Sequence, residues 1–341
     1  MPPPSAAAAL ATALLAGLAL GVQPARAEER ALLLPASMGR TDRVWIFGRV
    51  LEEAHDGGPT AWKNLRRLAG SNVEGAPVEV TFLGRAAKAV SGHDGEFEVE
   101  IPAGPGDPFP PGVQRAEVRS GPARAGALVH VVAPGAPFIV VSDFDDTVAV
   151  TNVRSLLELL DATFLQDERT QPAVAAMAAF YGCLAAASPA PAFAFVSGSP
   201  VQLAPRIAAF LERNGFPPAA LFLRNLGPGT LSRYKEPVLE RLAARFPQPF
   251  VLVGDSGERD PEIYAAFARA HPGRVRAVYV RHAPGDPGPP ARFEGERLFE
   301  DPSDALRDAI GRGLAPGCSD ERTGVPSASR APDDAPDAAS R

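Results

Sequence analysis

Five short, predominantly apolar runs separated by longer, mixed stretches constrain this chain more than any other feature. The runs fall at 138–142, 193–196, 221–223, 250–253 and 275–280. A strand covered on one face alternates apolar and polar residues, whereas a strand covered on both faces is apolar throughout. The stretches between the runs have room for helices. In one of them, 201–214, Leu203, Ile207, Phe210 and Leu211 share a face and Gly215 supplies a stop. The pattern predicts a doubly wound α/β (Rossmannoid) domain over residues 137–314, a fold whose ligands bind at the carboxyl ends of the strands.

Residues 41–134 follow a different rhythm. The run 44–50 reads as a strand, and Val78, Val80 and Phe82 alternate with Glu79 and Thr81. His93-Asp94-Gly95 supplies a turn before the alternating Phe97, Val99 and Ile101, and a Pro/Gly-rich loop at 104–112 leads to the apolar run 127–132. Short strands separated by turn signals predict a small β-sandwich-like domain. Pro134-Gly135-Ala136-Pro137 marks its end. Residues 315–341 are mostly Pro, Ser, Asp and Ala with few apolar side chains, a composition that predicts a disordered tail.

The N-terminus carries an apolar run at 6–22 ending in Pro24-Ala25-Arg26-Ala27. Ala25-x-Ala27 is the small-x-small pattern of a signal-peptidase site, so residues 1–27 read as a signal peptide and the mature chain as an exported, periplasmic protein beginning at Glu28. Residues 1–5 lack the usual Lys or Arg, and an uncleaved anchor or a cytoplasmic Ala-rich tail is the alternative. Cys183 falls in an expected helix and Cys318 in the tail; an exported protein can pair them, but the spacing does not require it. A net charge of -6 leaves no basic footprint for nucleic acid. No His or Cys pair has zinc-ligand spacing.

The chemistry-bearing residues sit where such a sheet presents them. Asp143-Phe144-Asp145-Asp146-Thr147 follows the first run directly. Three carboxylates in four positions repel one another unless a cation holds them. The second run ends at Ser197, which alone reads as a turn residue or cap. Lys235 falls at an expected helix start, where a cation opposes the helix dipole. The fourth run enters Gly254-Asp255-Ser256-Gly257-Glu258-Arg259-Asp260. Asp260 precedes Pro261 and could serve merely as a helix cap; Asp255 has no such explanation.

Taken in order, strand-DxDxT, strand-Ser, Lys and strand-GDxxxxD resemble the four-part signature of the haloacid-dehalogenase phosphohydrolases. The resemblance implies that Asp143 attacks phosphorus to give an aspartyl-phosphate and that Asp145 acts as acid and then base. It implies Mg²⁺ on the Asp143 carboxylate, the Asp145 backbone carbonyl and Asp255, with Asp260 orienting the metal shell. Thr147, Ser197 and Lys235 would hold the phosphoryl oxygens. From about Val129 to His282 the blocks 141–147, 195–200 and 254–264 are similar to the actin-patch phosphatidate phosphatase family of fungi and its bacterial relatives. Gly198 and Val201 replace the Asn and Trp usual in that family's second motif.

This resemblance implies hydrolysis of phosphatidate to diacylglycerol, with transient membrane-surface contact. Only helices are expected between Thr147 and the second strand, at 153–167 and 171–187, so no large folded cap is foreseen. The alternatives are a phosphatase of a soluble phosphomonoester, a non-catalytic binding module on the same fold, and a serine hydrolase built on Gly254-Asp255-Ser256-Gly257. The last lacks the later Asp-x-x-His that lipolytic esterases need.

Overall fold

Alternation along a single strand joins the two halves of this molecule. In the computed structural model, which describes residues 30–52, 72–145, 147–148, 171–225, 234–282 and 288–318, strand β3 spans Arg43–Glu52. Its Val44, Ile46 and Val50 enter the core of the N-terminal sheet, whereas Trp45 and Phe47 point the other way, into the core of the second half. A period of two places these two sets on opposite faces.

Among the described residues the N-terminal sheet has eight strands: β1 (Arg30–Leu33), β2 (Ser37–Arg40), β3, β4 (Pro77–Phe82), β5 (Arg85–Val90), β6 (Glu96–Pro102), β7 (Gly112–Ser120) and β8 (Ala123–Val132). Hydrogen bonding runs in the order β1-β3-β2-β8-β7-β4-β5, and β6 pairs with β3. The strands form one continuous sheet curled round Val44, Ile46, Val80, Phe82, Phe97, Val99 and Val118, rather than two separate sheets. Two strands precede the expected start at 41, because residues 30–40 are too short and mixed to show a period. β5 and β7 were also not foreseen; Arg85–Val90 has a weakly apolar, partly exposed face.

The second half contains β9 (Ile139–Ser142), α1 (Gln171–Ala185), β10 (Ala192–Pro200), α2 (Ala204–Arg213), β11 (Ala220–Arg224), α3 (Lys235–Arg245), β12 (Phe250–Asp255), α4 (Asp260–Ala270), β13 (Val275–Arg281), β14 (Arg297–Phe299) and α5 (Pro302–Gly311). The strand order is β11-β10-β9-β12-β13-β14, and every pair is parallel. All five expected runs are strands, and β14 adds a sixth that is too short to read from its composition. Val140 of β9 packs with side chains of α1, α2 and α5, while Ile139 and Val141 pack with those of α3 and α4. Helices therefore cover both faces, the condition under which a parallel strand can be apolar throughout.

Trp45 stacks edge-on against Phe246, with the Arg245 guanidinium 4.8 Å from its ring centre. Phe47 lies against Phe222, and Leu221 N–H donates to the Ala36 carbonyl at 2.8 Å. Arg245 also pairs with Glu98 across the junction. Cys183 and Cys318, whose pairing the sequence left open, form a disulfide, and Ala315 is buried. The first residues of the expected tail are thus packed; the rest of it lies outside the described residues. So do the expected signal peptide and the expected helix at 153–167. Among the described residues no helix is long and apolar enough to cross a membrane.

Trp45→Ala removes the main aromatic contact between the halves and should cost about 3 kcal/mol or more. Thermal denaturation should show a melting temperature several degrees lower. An unchanged melting temperature would mean that the halves do not stabilise each other through this contact.

Candidate active site

Strand order alone brings the sequence-predicted residues together. β9 lies between β10 and β12, with Ser142 opposite Phe195 on one side and Val253 on the other. Asp143 N–H continues this pairing by donating to the Val253 carbonyl at 2.8 Å. The carboxyl-terminal parts of these three strands carry the site: Asp143 and Asp145 just after β9, Ser197 within β10, and Asp255 as the last residue of β12. Helices α3 and α4 begin beside them and contribute Lys235 and Asp260 as their first residues.

Lys235 is the hub. Its Nζ lies 3.0 Å from Asp143 Oδ1, 2.5 Å from Asp260 Oδ1 and 3.2 Å from Glu258 Oε2. A lysine at a helix amino terminus opposes the dipole, and here the carboxylates outweigh that cost. They also raise its pKa, Asp143 most, against the lowering effect of burial. Asp260 is not a simple helix cap. Its side chain makes no cap bond to its own helix; besides Lys235 it accepts from the Asp255 backbone N–H at 3.4 Å. Gly254 permits this approach, since a Cβ there would overlap the Asp260 carboxylate and the Tyr264 ring.

Two differently held carboxylates flank Phe144. Asp143 is buried, which raises its pKa despite the neighbouring Lys235 ammonium. Asp145 turns away from the lysine and accepts from Ser197 Oγ at 2.8 Å and from Ser199 Oγ at 2.9 Å. Burial raises its pKa too, and the two hydroxyls partly offset that. Ser197 therefore bonds an acid. Thr147, the third expected phosphate ligand, lies with Oγ1 3.5 Å from Asp143 Oδ2, and its carbonyl accepts from Arg281.

Carboxylate oxygens of Asp143, Asp255 and Asp260 lie within 4.8 Å of one another. Asp255 Oδ2 is buried with no hydrogen-bond partner, while Oδ1 accepts from the backbone N–H groups of Gly257 and Glu258. A buried acceptor left open among like charges fits a cation. The sequence places a metal on the Asp143 carboxylate, the Asp145 backbone carbonyl and Asp255, with Asp260 orienting its shell; the side chains that converge are those of Asp143, Asp255 and Asp260.

Three supporting residues escaped the sequence reading. Ser199 follows Ser197 by two and could have been found as a second hydroxyl at the same strand end. Arg292 gives no local signal; it bonds the Ser256 and Glu258 carbonyls and pairs with Glu262, bracing the loop that carries Asp255. Ser142 Oγ donates to the Asp143 carbonyl and meets Tyr181 Oη at 2.5 Å, a link formed only when α1 packs on the sheet.

A parallel sheet with acids, a lysine and hydroxyls gathered at its carboxyl strand ends defines an α/β domain with a carboxylate site that could hold a cation. Residues 138–282 match the catalytic domain of phosphatidate phosphatase APP1, which establishes the family resemblance that the motifs carry. Phosphatidate phosphatase APP1 of Saccharomyces cerevisiae is 33% identical over 97 residues, covering 26% of this chain and 16% of that protein. An uncharacterized protein of Schizosaccharomyces pombe is 32% identical over 101 residues, covering 27% and 16%. The match thus spans about a sixth of the length of these curated relatives. Among solved structures, a carbohydrate acetylesterase from Xanthomonas citri covers 84% of this chain and 75% of its own at 12% identity, with a TM-score of 0.30. That likeness is too slight to bear on fold or activity.

Asp255 is shifted up to about 7 from an ordinary 3.8, first by burial and then by Asp260. The folded state therefore binds this proton more tightly than the unfolded chain, and metal-free stability should fall as pH rises from about 4 to about 7. Melting curves in a chelator should show that decline, and Asp255→Asn should flatten it. Added divalent cation should raise the melting temperature most at the upper end, where Asp255 is ionised. A wild-type profile indistinguishable from that of Asp255→Asn would contradict this assignment.

Proposed function

We propose that this chain is a Mg²⁺-dependent phosphohydrolase of haloacid-dehalogenase-like, doubly wound fold, hydrolysing phosphatidate to diacylglycerol through an aspartyl-phosphate. The observation that carries the reading is the division of labour between Asp143, which faces Lys235 and the other carboxylates, and Asp145, which is turned onto two hydroxyls. The match of 138–282 to a phosphatidate phosphatase catalytic domain supports the substrate class.

In this reading an Asp143 oxygen attacks phosphorus and the bond from phosphorus to the substrate alcohol breaks. Asp145, whose pKa burial raises, gives its proton to the departing alkoxide. A water then attacks the phosphorus of the aspartyl-phosphate, Asp145 takes its proton, and phosphate leaves Asp143 free. Lys235 stabilises charge on the transferring group, with Thr147 and Ser197 contributing hydroxyls. Bound at Asp143, Asp255 and Asp260, Mg²⁺ would act as a Lewis acid and screen the phosphate from the carboxylates.

The Cys183–Cys318 disulfide supports an oxidising compartment and so the export reading of residues 1–27. N-terminal sequencing of the native protein should find Glu28 first in the cell envelope; an intact Met1 in the cytoplasm would refute export.

Activity on phosphatidate in mixed micelles should disappear with EDTA and return with Mg²⁺, while Ca²⁺, with its looser coordination, should inhibit. Asp143→Asn should lower kcat by about three orders of magnitude or more without unfolding the protein. Full activity in chelator would eliminate the metal claim. Far higher kcat/KM on soluble sugar or nucleotide phosphates would eliminate the lipid claim alone.

A further inference from the structure

A cavity of about 710 Å³ lies between the two sheets, outside the catalytic residues described so far. Its size is within the ~300–1,000 Å³ of small-molecule sites. Phe47, Arg49 and Val90 line it from the N-terminal sheet, and Val201, Leu223 and Tyr234 from the parallel half.

Three of these residues tie it to the reaction centre. Leu223 is the register partner of Ser197 on the neighbouring strand, about 4.8 Å away across a sheet. Val201 is two residues past Ser199, and Tyr234 immediately precedes Lys235. The cavity therefore adjoins the phosphoryl site at the carboxyl edge of the parallel sheet, where the leaving group of a phosphate ester would project.

Arg49 gives this space a polar feature. Trp45 packs on Phe246, at the amino end of the parallel sheet, and Phe47 packs on Phe222 further along it. The next residue on that face of β3 is Arg49, about 6.7 Å onward and so toward the carboxyl end. Its residue exposure is 3%, yet Nη2 has no hydrogen-bond partner. Asp94 stands 4.0 Å from it, and Nη1 bonds Asn72 at 3.5 Å. A buried donor left open on a cavity wall is costly until an acceptor arrives.

The walls also hint at what that acceptor is. Glu96 and Glu98 line the cavity with Arg49 and Arg241, so its charges already balance and a second anion gains little. Phe47, Phe222, Val201 and Leu223 are apolar, and Val90 keeps 66% of its surface exposed at the wall. Hydrocarbon bearing a neutral oxygen close to the phosphate matches this lining.

We propose that the interdomain cavity is the leaving-group subsite, holding the hydrocarbon of an acylated glycerol phosphate while Arg49 donates to an ester oxygen. The assignment rests on the phosphatase reading above and makes the N-terminal sheet part of the substrate site.

The test compares kcat/KM for dioctanoyl phosphatidate and for glycerol 3-phosphate in the full chain. Arg49→Met should lower the ratio of the two about 10- to 100-fold, the loss of one charge-assisted bond. Val90→Glu, at an exposed position where folding is not at stake, should raise KM for phosphatidate at least about tenfold by placing a charge against hydrocarbon. In the wild type, a monoalkyl phosphate series from ethyl to octyl should gain roughly two- to fourfold in kcat/KM per methylene. Turnover of both substrates at a ratio that neither variant alters, with a flat alkyl series, overturns the subsite alone. If the wild type hydrolyses neither compound, the phosphatase reading fails and the subsite falls with it.

Discussion

Burying the Lys235 ammonium among carboxylates is the interaction on which the rest of this site depends. Asp143, Asp255 and Asp260 are each at most 1% exposed, and like charges so close raise one another's pKa. One ammonium offsets one of these three potential charges, and Glu258 adds a fourth nearby. The remaining deficit is what a divalent cation would meet. The same site accounts for details that otherwise look unfavourable: a lysine starting α3, an aspartate starting α4 without capping it, and a glycine at 254 where the Asp260 carboxylate comes close.

The scaffold makes this arrangement affordable by supplying rigidity from both faces of the sheet. β9, only four residues long, is buried along its whole length and flanked by two longer parallel strands. Helices α1, α2 and α5 cover one face and α3 and α4 the other, so the residue after β9 has little freedom in where it points. The N-terminal sheet extends this frame: Phe47 and Ala36 contact β11, the edge strand beside the one that carries Ser197, and Trp45 packs on Phe246 at the end of α3. Function and interdomain packing therefore share one edge of the molecule.

The parts of this structure that were legible in the sequence are those governed by local periodicity. The five apolar runs became β9 to β13 because burial on both faces leaves a continuous signature, and the acidic blocks could be placed because they follow those runs. Asp143 and Asp255 are thereby legible as site residues, and the ordered motifs add Lys235 and Asp260, which meet them in the structure. What local pattern does not encode was missed. β14 has three residues and β1 has four, too few for a period to emerge. Arg292 braces the Asp255 loop from more than thirty residues away, and Tyr181 reaches Ser142 only through packing of α1. The GDxxxxD spacing puts Asp260 at the metal shell, but the close approach of its side chain to Gly254 is a matter of packing that spacing does not give. The cysteine pair, separated by 135 positions, was likewise decided by tertiary structure.

The central claim is that Asp143 becomes phosphorylated, and trapping that species tests it most directly. The Asp145→Asn variant should form the aspartyl-phosphate with p-nitrophenyl phosphate, whose leaving group needs no acid, but should clear it slowly for want of a base. Acid quenching, borohydride reduction and peptide mass spectrometry should then convert Asp143, and no other aspartate, to homoserine. Recovery of unmodified Asp143 from a variant that has released nitrophenol, or phosphate found instead on Ser256, would contradict the account.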